Sequence, residues 1–202
     1  KQPLAYSIHD VNLPPFSAHV VRQVLKKAKR NSATAIDGWN KKLITDATLA
    51  EDSIVDSLCV LMTQILRGQF NPLAMQCLRA ARVVAIPKPN GSVRPVCVSN
   101  FFIKITGAAA VVKGGITCSD AQYALGGRGG GPTVVHKLRE WKKRGKAIFK
   151  FDITNGYNEL PRALVERALS VRNMCEYLRA FFKTIYYGPS DMLLFGPGGG
   201  VS

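Results

Sequence analysis

The chain has 202 residues, 47% hydrophobic and 20% charged, a balance that suits a globular protein with one core or two small ones and excludes a disordered one. Lys and Arg number 28 against 13 acidic residues, a formal net charge of +15. An excess that large attracts polyanions, makes nucleic acid the expected partner and disfavours packing on another basic surface.

Cys59, Cys77, Cys97, Cys118 and Cys175 are odd in number, widely spaced and mostly set in apolar runs. That pattern supports neither a disulfide framework nor a Cys-x-x-Cys zinc site, and it reads as small buried residues of an intracellular, reducing compartment. His9, His19 and His136 stand apart from one another and from any cysteine pair, so they make a poor metal set. No stretch reaches the length of a membrane span. Lys1 offers neither an initiator Met nor an apolar signal region, so the chain reads as mature, processed or excerpted and its organelle stays open.

Residues 1–16 are punctuated by Pro and weakly patterned, which predicts an extended N-terminal arm over the surface or onto a partner. Ser17 can cap a helix with Val20, Val21, Val24, Leu25 and Ala28 on its inner stripe, leaving Arg22, Lys26, Lys27, Lys29 and Arg30 wet. Those cations are either a solvated face or a surface that tracks phosphates. A second helix is predicted from near Asp52 to Arg67, with Ile54, Val55, Leu58, Leu61, Met62, Ile65 and Leu66 inward and Gly68 ending it. Pro72 opens a short helix reaching Leu78.

Residues 81–98, Ala-Arg-Val-Val-Ala-Ile-Pro-Lys-Pro-Asn-Gly-Ser-Val-Arg-Pro-Val-Cys-Val, read as a hairpin turning at Asn90-Gly91, with Lys88 and Arg94 on its arms. A two-residue I′ turn is expected there. An apolar helix follows from Phe101 to about Val112. Gly126-Gly-Arg-Gly-Gly-Gly-Pro-Thr133 puts Pro132 where a nucleotide-binding P-loop needs Lys, which excludes that reading. The loop is either a flexible connector or, through Arg128 and its backbone N–H groups, a phosphate contact ahead of an amphipathic helix bearing Val134, Val135, Leu138 and Trp141.

The segment Ala-Ile-Phe-Lys-Phe-Asp-Ile-Thr-Asn-Gly-Tyr (147–157) predicts a strand over 147–152, with Asp152 at its end and Tyr157 five residues on. A strand end holds a metal-binding Asp rigidly, while the following turn presents a ring beside a nucleotide. Helices are expected from Pro161 to about Ser170 and from Cys175 to Tyr186, then a strand at Met192–Phe195.

Four segments in this order, Ser-Ala-Thr-Ala-Ile-Asp-Gly-Trp-Asn-Lys-Lys-Leu-Ile (32–44), the 81–98 hairpin, the 147–157 segment and Phe-Gly-Pro-Gly-Gly-Gly-Val-Ser (195–202), resemble retroelement reverse transcriptases. The resemblance is strongest to those of the non-long-terminal-repeat retrotransposon and group II intron type, and it covers roughly residues 17–202. It implies an α+β fold, the fingers and N-terminal part of the palm of a right-hand polymerase, with residues 1–16 as the arm, 17–146 as a fingers-like region and 147–202 as a partial palm.

Nucleotidyl transfer in such enzymes uses two divalent cations about 4 Å apart. The resemblance makes Asp152 a catalytic Mg²⁺ ligand, with the Ile153 carbonyl as a second ligand. It makes Tyr157 the ring that excludes a ribose 2′-hydroxyl, and Lys88 and Arg94 the grip on the triphosphate. Asp37-Gly38 matches a structural turn in the fingers.

The departures are as informative as the matches. Gly156-Tyr157-Asn158 stands where the family has Ala-Phe-Asp or Ala-Tyr-Asp, and no Asp-Asp pair, the family's second catalytic element, occurs in the 202 residues. The Gln-Gly of the next motif is expected just after Ser202. One carboxylate does not organise two metals, so the chain as written is expected not to polymerise, and Mg²⁺ is expected only in a completed site. Two functions compete: an RNA-binding domain of reverse-transcriptase ancestry inside a larger ribonucleoprotein or multi-chain assembly, and the N-terminal fragment of an active RNA-directed DNA polymerase completed by another chain or by residues beyond Ser202. RNA, further protein chains and no membrane are the expected partners of either.

Overall fold

The computed structural model describes residues 13–28, 33–115, 122–123, 129–153, 156–171 and 176–194. In chain order the elements are α1 (Ala18–Lys27), α2 (Lys41–Ala50), α3 (Ser53–Arg67), α4 (Pro72–Arg79), β1 (Ala81–Pro87), β2 (Val93–Ser99), α5 (Phe101–Gly114), α6 (Gly130–Lys143), α7 (Gly156–Glu159), α8 (Arg162–Val171), α9 (Glu176–Tyr186) and β3 (Met192–Leu194). The architecture is mixed α+β.

Apolar residues at helical spacing build the core. Val20, Val21, Val24 and Leu25 of α1 meet Val55, Leu58, Met62 and Leu66 of α3, and both helices pack on α5. Each such side chain, when fully buried, stabilises the fold by roughly 1.5–3 kcal/mol. Gly68, at φ +63°, ends α3 in the left-handed conformation that suits glycine. The α5 helix is apolar almost all round, as befits a helix covered on several sides, and its Thr106, Ala109 and Ala110 have no exposed surface. Gly107 lets α9 come close, since an added Cβ would sit 2.8 Å from Cζ of the Phe181 ring.

The end of the expected arm belongs to this core. Leu13 and Phe16 are 3% and 2% exposed, Phe16 N–H donates to Thr63 Oγ1 at 3.0 Å, and the Tyr177 hydroxyl donates to the Pro14 carbonyl at 2.7 Å. Residues 1–12 lie outside the described residues.

The three-stranded sheet has the order β2-β1-β3, with β1 antiparallel to β2 and parallel to β3. The expected hairpin is present but its turn differs from the I′ expectation. Gly91 N–H donates to the Lys88 carbonyl at 3.0 Å and Lys88 N–H to the Ser92 carbonyl at 2.8 Å, so Pro89 and Asn90 are the central residues and Gly91 follows at φ +77°. Proline is locked at negative φ, which rules out an I′ turn there and favours a three-residue loop closed by a left-handed glycine.

Three further expectations are corrected. The predicted strand at 147–152 does not form: residues 146–153 carry no strand, and β1, the central strand, pairs with β2 and β3 instead. A strand needs a hydrogen-bonding neighbour, and among the described residues this segment has none. Cys77 and Cys97, expected to be buried, are exposed, and Cys59 is half-buried. Cys97 lies on a face of the hairpin that no helix fully covers. Finally α2 was unexpected; Thr45 and Thr48 weaken its helical pattern, yet the Asn40 side chain accepts from Leu43 N–H at 3.1 Å and starts it.

A polar network ties α8 to the end of α9. Lys183 Nζ lies 2.9 Å from Glu166 Oε1, and the Tyr187 hydroxyl donates to Glu166 Oε2. Hydrogen bonds from Tyr187 and then Lys183 hold the Glu166 carboxyl below its ordinary range, and the Glu166 bond with some desolvation pushes Tyr187 up to about 12. A depressed carboxyl contributes stability above its unfolded pKa and loses it as pH falls; a raised phenol contributes below about pH 10 and loses it as pH rises. The melting-temperature gap between the unaltered chain and Tyr187→Phe is therefore expected to be widest near neutral pH and to close toward pH 12 and below about pH 4. A gap that stays constant across that range would remove the network from the stability of the fold.

Candidate nucleic-acid interface

The cations singled out by sequence divide into three groups. Lys88 and Arg94 both belong to the hairpin: Arg94 pairs with Ile86 within the ladder, and Lys88 follows the last residue of β1 and opens the turn, its N–H donating to the Ser92 carbonyl. Arg94 is exposed and Lys88 half-buried. On α1, Lys26 and Lys27 are exposed, but Arg22 is engaged, its Nη2 being 2.7 Å from Asp52 Oδ1 at the start of α3. The hydrogen bond and charge of Asp52 raise the Arg22 pKa further above its ordinary value. Arg22 thus joins two helices instead of waiting for a phosphate. Lys29, Arg30 and Arg128 lie outside the described residues.

Asp152 is exposed and makes no hydrogen bond or ion pair with a described residue. The Ile153 carbonyl accepts the Gly156 N–H at 3.3 Å, which opens α7. Tyr157 falls in α7, and its side chain lies outside the described residues. Among the described residues no three His, Cys, Asp or Glu side chains are grouped to hold a metal, so this donor set does not fit a Mg²⁺ pair. Asp37-Gly38 is the expected turn: Gly38 has φ +73°, Asp37 Oδ1 accepts from Trp39 N–H at 3.3 Å, and its other oxygen accepts from Asn100, the cap of α5.

Sequence reasoning passed over an exposed basic segment on and after α6. The α6 helix buries none of its residues, and the chain from its end to Ile153 is exposed throughout. Arg139, Lys142, Lys143, Lys146 and Lys150 make no ion pair with a described residue, whereas Arg144 pairs with Glu140. Lys137 is held by Tyr123, donating to its hydroxyl and lying 4.8 Å from the ring centroid. Beside these cations Phe149 and Phe151 stack at 6.4 Å and 24°, and they are 77% and 87% exposed. Cations alternating with bare rings are the elements of a surface for single-stranded nucleic acid, the cations following phosphates and the rings receiving bases. The signal is legible as a basic run with interleaved aromatics at 142–151, but its apolar residues also alternate as those of a strand do.

The sequence is similar to a retrotransposon protein. Over 154 residues it is 21% identical to the retrotransposable element SLACS 132 kDa protein of Trypanosoma brucei gambiense, a match that covers 74% of this chain. The chain spans 13% of that relative's own length. No protein-family model matches the chain. Among the described residues no helix is long and apolar enough to cross a membrane.

Proposed function

We propose that the chain is a retroelement-derived RNA-binding domain, related to the fingers and first part of the palm of a reverse transcriptase, and that it works within a larger ribonucleoprotein. The observation that carries this reading is the exposed segment 139–151, where Arg139, Lys142, Lys143, Lys146 and Lys150, which make no ion pair with a described residue, accompany the bare Phe149 and Phe151 rings. The net charge of +15 and the similarity to a retrotransposon protein support it. Single-stranded RNA is the preferred ligand, because stacking rings need unpaired bases. The test is a titration of the chain with single-stranded and duplex RNA over a range of salt, in which single-stranded RNA is expected to bind more tightly at matched salt and its affinity to fall steeply as salt rises.

A second reading has its own observation. Phe149, Phe151 and Ile153 recur at the two-residue spacing of a strand and are 77%, 87% and 78% exposed, an apolar stripe that a neighbouring strand would cover. In that reading the segment is the palm strand bearing Asp152, and polymerase activity depends on acidic residues supplied from elsewhere.

A further inference from the structure

A cleft of about 770 Å³ opens between β1, α5 and α9, and cations from three separate elements line it: Arg79 from the end of α4, Lys104 from α5 and Arg162 from the start of α8. Among the described residues no carboxylate lines it. Arg79 is held in place, donating from Nε at 2.9 Å and Nη2 at 2.6 Å to the Thr184 carbonyl, while its Nη1 has no partner among the described residues. Gly188 makes room for it, since an added Cβ there would overlap the guanidinium. A planar, immobilised guanidinium with a spare N–H edge, beside two more cations, suits a tetrahedral oxyanion.

We infer that this cleft is a phosphate-binding site, and that in the RNA-bound protein it seats a backbone phosphate. RNA as the occupant rests on the function proposed above; the phosphate site itself does not. Partial desolvation lowers the pKa of both Lys104 and Arg79, with Arg82 adding to the effect on Lys104 and Asp37 opposing it. Cations in that state gain from an arriving anion. Cys97 and Ala81 line the cleft, and alternation along paired strands puts Arg94 on the other face of the hairpin. RNA held at both places would pass around the hairpin.

The experiment compares the full chain with Lys104→Gln/Arg162→Gln, both positions being exposed, with melting temperatures to verify that the variant is folded. One arm titrates single-stranded RNA; the other titrates inorganic phosphate at fixed ionic strength and follows the backbone amide shift of Gly188. The variant is expected to bind RNA about tenfold more weakly with a log–log salt slope smaller by about 0.7, and to lose the saturable phosphate shift. A phosphate shift lost in the variant with unchanged RNA affinity supports the site and assigns it to a free anion. RNA binding that is identical in the two proteins, with no saturable phosphate shift in either, overturns the site and leaves the RNA reading standing. If the unaltered chain binds no RNA, that reading fails, and the phosphate arm alone decides the cleft.

Discussion

Affinity for single-stranded RNA is expected to fall about a hundredfold between about 50 and about 200 mM salt, the drop set by about five phosphate contacts at about 0.7 each in the log–log slope. Besides the cleft, the exposed cations available for those contacts include Lys26 and Lys27 on α1 and Arg139, Lys142, Lys143, Lys146 and Lys150 on and after α6. Fluorescence anisotropy with a labelled RNA gives the slope directly. Duplex RNA of equal length should bind more weakly at matched salt, because it carries the charge but offers no unstacked base to Phe149 and Phe151. A slope near zero would remove the electrostatic basis of the proposal.

The second large effect is an absence of chemistry. The isolated chain should extend no primer with any template, deoxynucleotide and Mg²⁺ or Mn²⁺, since Asp152 is a single exposed carboxylate with no described acidic partner, and phosphoryl transfer by two metals needs several. Asp152→Ala should leave RNA affinity unchanged or slightly higher, because it removes a negative charge from a basic surface. Under the second reading, adding a chain that carries an Asp-Asp hairpin restores extension, and Asp152→Ala then abolishes it. Extension by the isolated chain that survives Asp152→Ala would contradict both readings.

Much of the helical framework was legible because burial imposes a period on the sequence. The inner residues of α1 and α3 follow that period closely, and Gly68 and Pro72 mark a stop and a start that structure and sequence share. The failures have specific physical origins. The run from Ala147 to Asp152 alternates like a strand, but alternation records a local preference, and strand formation depends on a neighbour far away in sequence. The turn type was misjudged because Asn90-Gly91 was weighed without Pro89, whose fixed φ moves the turn by one residue. Arg22 looked like a free cation until α3 brought Asp52 beside it.

The cleft was invisible for the same reason on a larger scale. Arg79, Lys104 and Arg162 are far apart in the chain and have no shared motif; packing of α9 on α5 and pairing of β3 with β1 bring them together. The exposed rings, by contrast, were plain in the sequence, and what was misread was the strand around them.

Those rings also provide the most direct test of RNA binding. In the same anisotropy titration, Phe149→Ala/Phe151→Ala should weaken single-stranded RNA binding about tenfold to a hundredfold, at roughly 1–3 kcal/mol for a stacked base, while leaving the salt slope unchanged because no charge is removed. Both side chains are more than three-quarters exposed, so the melting temperature should hold. RNA affinity equal to that of the unaltered chain would contradict the proposed interface.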